Sequence, residues 1–505
     1  MKILWAGSEA SPFSASGGLG LVLGAVPRYL AKLGHDVRIT IPMHRSTIEG
    51  DFPRRSLQLS VDMPIRQYET IKGLLQESHL DINNAAGENV KVPVTLVDNP
   101  TLFNRPRLYA DGGEQYPDNA LRFAFFSRAV LQGTRKQHWI PDIIHSHDWQ
   151  TGLVPLYGKK MGFDATKFVF TIHNAFFHGA DPDRPIERDF LDFVGLDPSL
   201  YNHNGVEFHG FLSFLKAGIF GADAFTTVAE RYVEELQGIN IPTWDTFDYS
   251  GGMDGFYRAM SAIKPFEGIT NGLDYEEYNP QTDKALGDYN YSNGASPVAK
   301  AKLKEEVQSR YGLRVDPNIM LLGSIGRIDP TQKGFDILLD VIPRLEGRAQ
   351  MIVSGTGDPA LEKILVGLSH QYPSFFHYTH SRSDNLTRMI LGASNAMVMP
   401  SRYEPCGQTQ FMGWRYGALL IAKDTGGLHN TGVDFSQDPK NGNAFLFQKH
   451  TAEALDQAIS RASNMYTKHQ KTWLNASTRV MGLRFYWEDV AKQYLALYSS
   501  LLENR

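Results

Sequence analysis

The feature that most constrains this sequence is a module that occurs twice in residues 395–428. Each copy has a short apolar run, a polar or glycine turn, and a helix-like segment. The first run leads into a turn that contains Glu404, and the second leads into Gly426-Gly427. Short apolar runs that alternate with helical segments are typical of parallel α/β sheets. Because carboxyl ends of parallel strands meet at one sheet edge, both turns are predicted to lie at a ligand site.

The same module recurs along the whole chain. Apolar runs of this type occupy residues 3–6, 37–41, 140–145, 167–172, 224–228, 319–325 and 349–357. A chain of 505 residues exceeds one typical core. We therefore predict an α/β protein with a first domain over 1–265 and a second over 266–483, since a new series of strands begins beyond the turn-rich segment 268–274.

Charge and cysteine content exclude several classes of partner. The formal net charge is −5 and no dense basic run occurs, which argues against nucleic acid and anionic membranes. The chain contains one cysteine, so it has no internal disulfide or cysteine metal cluster, as expected for a cytoplasmic protein. No apolar run reaches the length of a membrane span, and residues 1–6 are too short for a signal-peptide core.

Residues 52–109 break the α/β pattern. They alternate apolar and polar side chains, which predicts an antiparallel or edge hairpin inserted into the first domain. A helix is predicted over 120–132, with Asp118 or Asn119 as its N-cap.

Polar side chains follow two predicted strands of the first domain. His145 ends one predicted strand, His147 and Asp148 follow it, and His173 follows the next strand. Imidazole and carboxylate can bind a metal ion. Because a strand can turn one of His145 and His147 into the core, we favour recognition of hydroxyl groups over a metal site.

Two cations flank a turn of the second domain. Arg327 and Lys333 follow the strand at 319–325, a position that suits a phosphate group; solvated surface charges are the alternative. Gly17-Gly18 follows the first strand and is compatible with a nucleotide or sugar site or with an ordinary turn.

Taken together, these segments resemble the bacterial glycogen synthase and plant starch synthase family. The segments that carry the resemblance are SEASPFSASGGL near the start, LYADGGEQYPDNALRF at 108–123, IIHSHDWQTGL at 143–153, FTIHNAFFHG at 170–179, FLKAGIFGAD at 214–223, GITNGLDYEEYNP at 268–280, QKGFDILL at 332–339 and the stretch 401–428. The resemblance implies two Rossmann-like domains facing each other across a cleft, the GT-B glycosyltransferase fold. It also implies that the C-terminal helix, 484–505, crosses back to the first domain.

The resemblance implies a retaining glycosyltransferase that uses no cofactor and no metal. Its catalytic residues would be His173, Glu404, Arg327 and Lys333. Donor-binding residues would be Gly17, Gly18, Arg327, Lys333, Glu404, Cys406, Gly407, Gln408 and Thr409. Acceptor or sugar contacts would come from Asp118, Asn119, His147, Asp148, Asn174 and Asn271. We favour a packing role for Cys406 over nucleophilic catalysis, because nothing nearby would lower its pKa.

The chain departs from the family pattern in the first loop. The family has Lys-x-Gly-Gly-Leu, with an Asp two residues after the Leu. This chain has Ala15 in place of the Lys and Leu21 in place of the Asp. The segment RIDPTQK is also one residue longer than usual between Arg327 and Lys333.

Two functions agree with these features. The first is transfer of glucose, or a related sugar, from a nucleotide diphosphate sugar such as ADP-glucose or UDP-glucose to an α-1,4-glucan or similar acceptor. The second is a weakly active or inactive homologue that binds glucan or nucleotide sugar in a regulatory role. The residues at Arg327, Lys333, Glu404 and His173 favour the first.

Overall fold

The computed structural model describes residues 1–66, 69–83, 87–111, 114–179, 186–292, 296–381 and 383–503. Gly112 and Gly113 of the motif at 108–123, and the last two residues of the predicted C-terminal helix, lie outside these ranges. Contacts divide the chain into two compact units. Unit 1 comprises Met1–Ile241, Thr246–Thr270 and the chain from Trp487 on, and unit 2 comprises Pro242–Asp245 and Asn271–Tyr486. The sequence placed the crossings at 265/266 and 483/484.

The described strands are β1 (Lys2–Ala6), β2 (Asp36–Pro42), β3 (Arg55–Arg66), β4 (Glu69–Asn83), β5 (Asn89–Asp98), β6 (Ala110–Asp111), β7 (Glu114–Gln115), β8 (Ile143–His147), β9 (Lys167–Ile172), β10 (Glu207–Phe208), β11 (Phe211–Leu212), β12 (Ala224–Thr227), β13 (Phe266–Gly268), β14 (Met320–Ile325), β15 (Ala349–Ser354), β16 (Phe376–Thr379), β17 (Ala396–Met399), β18 (Leu419–Lys423) and β19 (Ala444–Phe447).

The described α-helices are α1 (Gly18–Lys32), α2 (Arg45–Glu49), α3 (Pro100–Phe103), α4 (Asn119–Lys136), α5 (Val154–Lys160), α6 (Asp189–Phe193), α7 (Phe214–Gly221), α8 (Glu230–Leu236), α9 (Asp254–Ser261), α10 (Ser296–Arg310), α11 (Phe335–Val341), α12 (Pro359–Gln371), α13 (Asp384–Ala393), α14 (Thr409–Arg415), α15 (Gly426–Thr431), α16 (Ala452–Lys468), α17 (Gln470–Val480) and α18 (Trp487–Glu503). Short 3-10 turns lie at Trp149–Thr151, Pro198–Leu200, Gly287–Tyr289 and Ile342–Leu345.

Unit 1 is built on one mixed sheet in the order β13-β12-β9-β8-β1-β2-β5-β4-β3. The strands from β13 to β5 pair in parallel, and β4 pairs antiparallel with β5 and β3. The predicted hairpin region is therefore confirmed, at one edge of the sheet. Helix α18 packs against α1 and buries Trp487, Tyr494 and Tyr498 in the core on that face.

Unit 2 is built on a parallel sheet in the order β16-β15-β14-β17-β18-β19. Its turns approach each other closely, and glycine makes this possible. A Cβ at Gly355 or Gly357 would lie 1.9 Å from the carbonyl oxygen of Gly326 or Ile328. The turn after β14 therefore lies directly on the turn after β15.

Both sheets reverse their strand order at one point. The reversal falls between β1 and β8 in unit 1 and between β14 and β17 in unit 2. In open α/β sheets, ligands bind beyond the carboxyl ends of the strands at such a point. The turns that follow β1, β8, β14 and β17 are therefore where each unit is expected to bind a ligand.

Candidate functional site

In unit 2, the structure brings Lys333 and Glu404 together. The Lys333 Nζ lies 2.7 and 2.9 Å from the two carboxylate oxygens of Glu404, and the Ser401 hydroxyl donates to the same carboxylate at 2.8 Å. Glu404 is 5% exposed. A cation and a hydrogen-bonded carboxylate thus meet beyond β17, although they lie 71 residues apart in sequence.

Arg327 lies in the turn after β14 and is held on two sides. Its Nε lies 3.1 Å from Asp329 Oδ2, and its guanidinium donates to the Gln332 Oε1 at 2.7 Å. Asp329 closes the longer turn by accepting from the backbone N–H groups of Thr331 and Gln332. Burial would raise the pKa of Asp329, but these bonds and Arg327 outweigh it and lower that pKa. The turn is therefore internally bonded, with the guanidinium on its exposed side.

Main-chain contacts fix the turn that carries Glu404. The Gly427 N–H donates to the Glu404 carbonyl at 3.0 Å. A Cβ on Gly426 would lie 2.0 Å from that carbonyl oxygen, and one on Gly427 would lie 2.0 Å from the Cys406 carbonyl oxygen. Gly426 also has a positive φ of 46°. The turn with Glu404 and the turn with Gly426-Gly427 are thus adjacent, as the repeated module predicts. Glycine is required where they touch.

The segment after Glu404 is partly buried. Burial raises the pKa of Cys406 to about 12, so its thiol is protonated at neutral pH and is no nucleophile there. Gly407 has a positive φ of 73°. The side-chain nitrogen of Gln408, Nε2, is buried without a hydrogen-bond partner among the described residues. Thr409 begins α14.

Asn271 also belongs to unit 2. It lies against Cys406, and its Oδ1 is buried without a partner among the described residues. The family resemblance implies acceptor or sugar contacts for Asn271, whereas the structure places it next to Cys406 of the predicted donor segment.

In unit 1, the first glycine loop is open. Gly17 caps α1 with an extended backbone, φ −172°. No described atom lies within 4 Å of a Cβ built on Gly17 or Gly18. Neither backbone strain nor the surrounding protein therefore requires glycine here. Ala15, at the position where the family has a lysine, is exposed.

Two buried carboxyl groups, Glu9 and Asp148, lie in the turns that follow β1 and β8. Glu9 is 2% exposed, accepts from the Ser16 N–H at 2.5 Å, and has a pKa that burial raises to about 7. Desolvation likewise raises the pKa of Asp148 to about 7, and Glu9 adds to that shift. Asp148 accepts from the His173 N–H at 2.7 Å. This part of unit 1 therefore holds two weakly acidic groups near each other.

The backbone of Asp148 is strained. Its φ of 56° and ψ of 177° lie in a region that is almost exclusive to glycine. Such a conformation costs about 1–3 kcal/mol and persists where surrounding contacts hold it. Here the bond to His173 and the turn at Trp149–Thr151 supply those contacts.

His173 follows β9 and contacts His147 at the end of β8. The His173 Nε2 lies 3.1 Å from the His147 Nδ1. Desolvation lowers the pKa of His173 to about 3 and that of His147 well below its ordinary value, so both rings are neutral at pH 7. Asn174 is half-buried, and its side chain accepts from the Phe176 N–H.

His145 lies inside β8, which extends two residues beyond the predicted strand. Not one but both of His145 and His147 are buried, because residues two apart in a strand lie on the same face. The ring nitrogens of His145 bond to the Tyr498 hydroxyl at 2.5 Å and the Thr171 hydroxyl at 2.6 Å. Across the described ranges, no group of three or more His, Cys, Asp and Glu side chains is arranged to hold a metal ion.

Asp118 and Asn119 contact arginines. Asp118 forms a two-pronged ion pair with Arg105 at 2.5 and 2.7 Å. Asn119 is buried, accepts from Arg122, and donates to the Tyr109 carbonyl. Asp118 is the N-cap residue of α4 but makes no side-chain capping bond. These contacts order the segment that precedes α4.

Sequence reasoning missed two residues of the site. Glu9 lies inside the motif SEASPFSASGGL without a predicted role, and Gln332 separates the two predicted cations. Glu9 lies in the turn after β1 and Gln332 in the turn after β14. Polar residues in such turns are candidates for ligand contact, and this position could have identified both.

The two halves of the chain match two family models. Residues 2–259 match the starch synthase catalytic domain, and residues 320–464 match glycosyl transferases group 1. The catalytic domain of starch synthase IV from Arabidopsis thaliana, solved bound to ADP and acarbose, superposes with a TM-score of 0.86 at 27% identity, covering 99% of both chains. A sucrose-phosphate synthase from Thermosynechococcus elongatus shares the fold, with a TM-score of 0.59 at 17% identity over both whole chains.

These matches define a glycosyltransferase of the GT-B fold. The chain is also 37% identical to a glycogen synthase of Geotalea daltonii and 36% identical to glycogen synthase 2 of Geobacter metallireducens, in both cases over the full length of both proteins. The chain belongs to the glycogen and starch synthase family. Helices of the described segments all lack the length or apolar character needed to cross a bilayer.

Proposed function

We propose that this glycosyltransferase moves glucose from a nucleotide diphosphate sugar to the end of an α-1,4-glucan, with unit 2 binding the donor and unit 1 the acceptor. The observation that carries the proposal is the arrangement in unit 2. Arg327, Lys333 and Glu404 lie in the turns after β14 and β17, which flank the reversal of strand order.

The chemistry explains why these residue types would be needed. Breaking a sugar–phosphate bond leaves negative charge on the diphosphate, and fixed cations stabilise that charge without reorganising. Arg327 would bind phosphate oxygens with its planar fork and Lys333 as a point charge. Glu404, already bonded to Lys333 and Ser401, would accept a hydrogen bond from a sugar hydroxyl.

Gly407, Gln408 and Thr409 would complete the donor site with backbone and side-chain contacts, and Cys406 would pack beneath them. The buried, unpaired amide of Gln408 supports this assignment, because buried polar groups in proteins are usually paired. His173 and Asn174 would line the reacting carbon. We further propose that the acceptor attacks on the face from which the diphosphate leaves, and that a diphosphate oxygen takes the acceptor's proton.

We propose ADP-glucose as the first donor to test, ahead of UDP-glucose. The Arabidopsis starch synthase is bound to ADP, which supports an adenine nucleotide. The first loop argues for testing both, because Ala15 removes a cation expected near the phosphates.

A panel of nucleotide sugars tests the proposal. The full chain is incubated with ADP-glucose, UDP-glucose and other donors, with and without glycogen or maltooligosaccharides, and nucleotide release and polymer growth are measured. We expect acceptor-dependent release with at least one glucose donor. Binding of a nucleotide without turnover of any donor would refute the proposal.

A pair of lysine variants tests the donor site. Lys333→Met should abolish most of the turnover with the preferred donor, whereas Lys363→Met, on the exposed face of α12, should not change it. Equal activity of both variants would remove Lys333 from the proposed donor site.

A further inference from the structure

The imidazole of His147 has one hydrogen-bond partner among the described residues. Its Nδ1 lies 3.1 Å from the His173 Nε2, while its own Nε2 is buried without a partner. The ring is fixed on two sides, with ring centres 4.2 Å from His145 and 4.6 Å from Trp5. A half-turn of the ring about its Cβ–Cγ bond would keep this stack but would give up the hydrogen bond to His173.

The neighbouring main chain is fixed as well. The Thr151 hydroxyl bonds both the N–H and the carbonyl of His147, at 2.6 and 2.7 Å. On the other side, the Asp148 carboxyl accepts from the His173 N–H at 2.7 Å. These hydrogen bonds therefore fix the main chain of both His147 and His173.

A neutral imidazole carries one N–H and one bare nitrogen. If His147 carried its proton on Nε2, a buried N–H would have no acceptor. If it carries the proton on Nδ1, that N–H bonds His173 and only a bare nitrogen stays unpaired. Orphaned buried N–H groups are rarer than under-used acceptors. The second arrangement is therefore favoured, and it makes the His173 Nε2 an acceptor.

We propose that His147 is a positioning residue that fixes His173 in the Nδ1–H tautomer, so that His173 offers its ligand a hydrogen-bond donor. No described residue takes up the Nδ1 of His173, which leaves that N–H for an oxygen atom of the ligand. The inference about the tautomer stands on unit 1 alone. That the ligand is the donor sugar rests on the proposed function.

Histidine nitrogen NMR on the full chain tests the tautomer directly. The protein is labelled with ¹⁵N-histidine, and the signals of His173 are identified by their loss in His173→Gln. Long-range couplings from the two ring C–H groups then show which nitrogen bears the proton. We expect Nδ1–H in the unaltered protein. An Nε2–H tautomer at His173 overturns the proposal, whether or not the protein transfers any sugar.

Two substitutions of His147 separate positioning from packing. An Asn amide can reach the place of Nδ1, whereas a Gln amide reaches that of Nε2. We expect His147→Gln to lower kcat about tenfold with little change in the KM for the donor, and His147→Asn to stay within about threefold. His178→Asn is the matched control, because His178 bonds Ser213 and has no contact with His173.

In a protein that turns over a donor, the kinetic test decides between positioning and packing. Equal losses in His147→Gln and His147→Asn, or a loss in KM alone, contradict the positioning role. If the unaltered protein uses no donor, the proposed function fails, and the NMR result alone decides the inference about His147.

Discussion

Replacing Gly427 by alanine tests whether main-chain contact positions Glu404. The added Cβ would lie 2.0 Å from the Cys406 carbonyl oxygen, whereas real Cβ atoms essentially never approach other atoms within 3.0 Å. The difference, 3.0 − 2.0, means that the two turns must separate by about 1 Å. A misplacement of about 1 Å at a reacting centre can cost about 100-fold in rate. We therefore expect Gly427→Ala to lower kcat by about that factor.

The assay and its control follow from the structure. The initial rate of nucleotide release is measured at saturating donor with glycogen as acceptor, and unfolding is followed in urea. The expected cost in stability is about 1–3 kcal/mol, as for other overpacked sites. Gly367→Ala is the control: Gly367 lies in α12, exposed, with nothing within 4 Å of its added Cβ. There alanine should stabilise the helix by about 0.5–1 kcal/mol without changing kcat.

The reasoning fails if Gly427→Ala folds and keeps a kcat within about threefold of the unaltered protein. A loss of stability with full activity would mean that α15 shifts to make room for the added methyl group, while the turn with Glu404 stays in place.

Three further predictions concern unit 1. Ala15→Lys should tighten donor binding at least about tenfold in calorimetry, because a charge-assisted bond is regained; an unchanged Kd would contradict the proposed phosphate contact. Burial raises the pKa of Glu9 from 4.5 to about 7, so the folded state holds a proton that the unfolded state has lost between these values. The free energy of unfolding should therefore fall across pH 4.5–7 relative to Glu9→Gln, and parallel urea-unfolding profiles would refute this. Tyr498→Phe, which removes a bond to His145, should cost about 1–3 kcal/mol. Tyr257→Phe should cost almost nothing, since its buried hydroxyl has no partner in the described ranges; equal costs in denaturant would count against this account.

The positions of the strand-end residues could be predicted from the sequence. Apolar runs mark buried strands, so the residues that follow a run lie at the carboxyl edge of a parallel sheet. Asp148, His173, Arg327 and Glu404 lie there. This logic needs only the local pattern and the chain order.

The partners of these residues could not be predicted in the same way. Asp118 pairs with Arg105, and His145 bonds Tyr498 from a helix 353 residues away. No periodic pattern encodes which side chains meet across such separations. The burial of Glu9 is of the same kind, because it depends on how the loop from Ser16 to Gly20 folds over it.

At Asp148, a change that relieves backbone strain would remove a contact of His173, so stability and activity make opposite demands on this position. Glycine would adopt φ 56° and ψ 177° without strain, so Asp148→Gly relieves strain while it removes the carboxyl group that bonds His173. A laboratory search for heat-resistant variants, if selected on survival alone, would accept changes at this position. Activity must be part of any such selection, since the carboxyl group of this strained residue bonds the main chain of His173, which the proposed reaction uses.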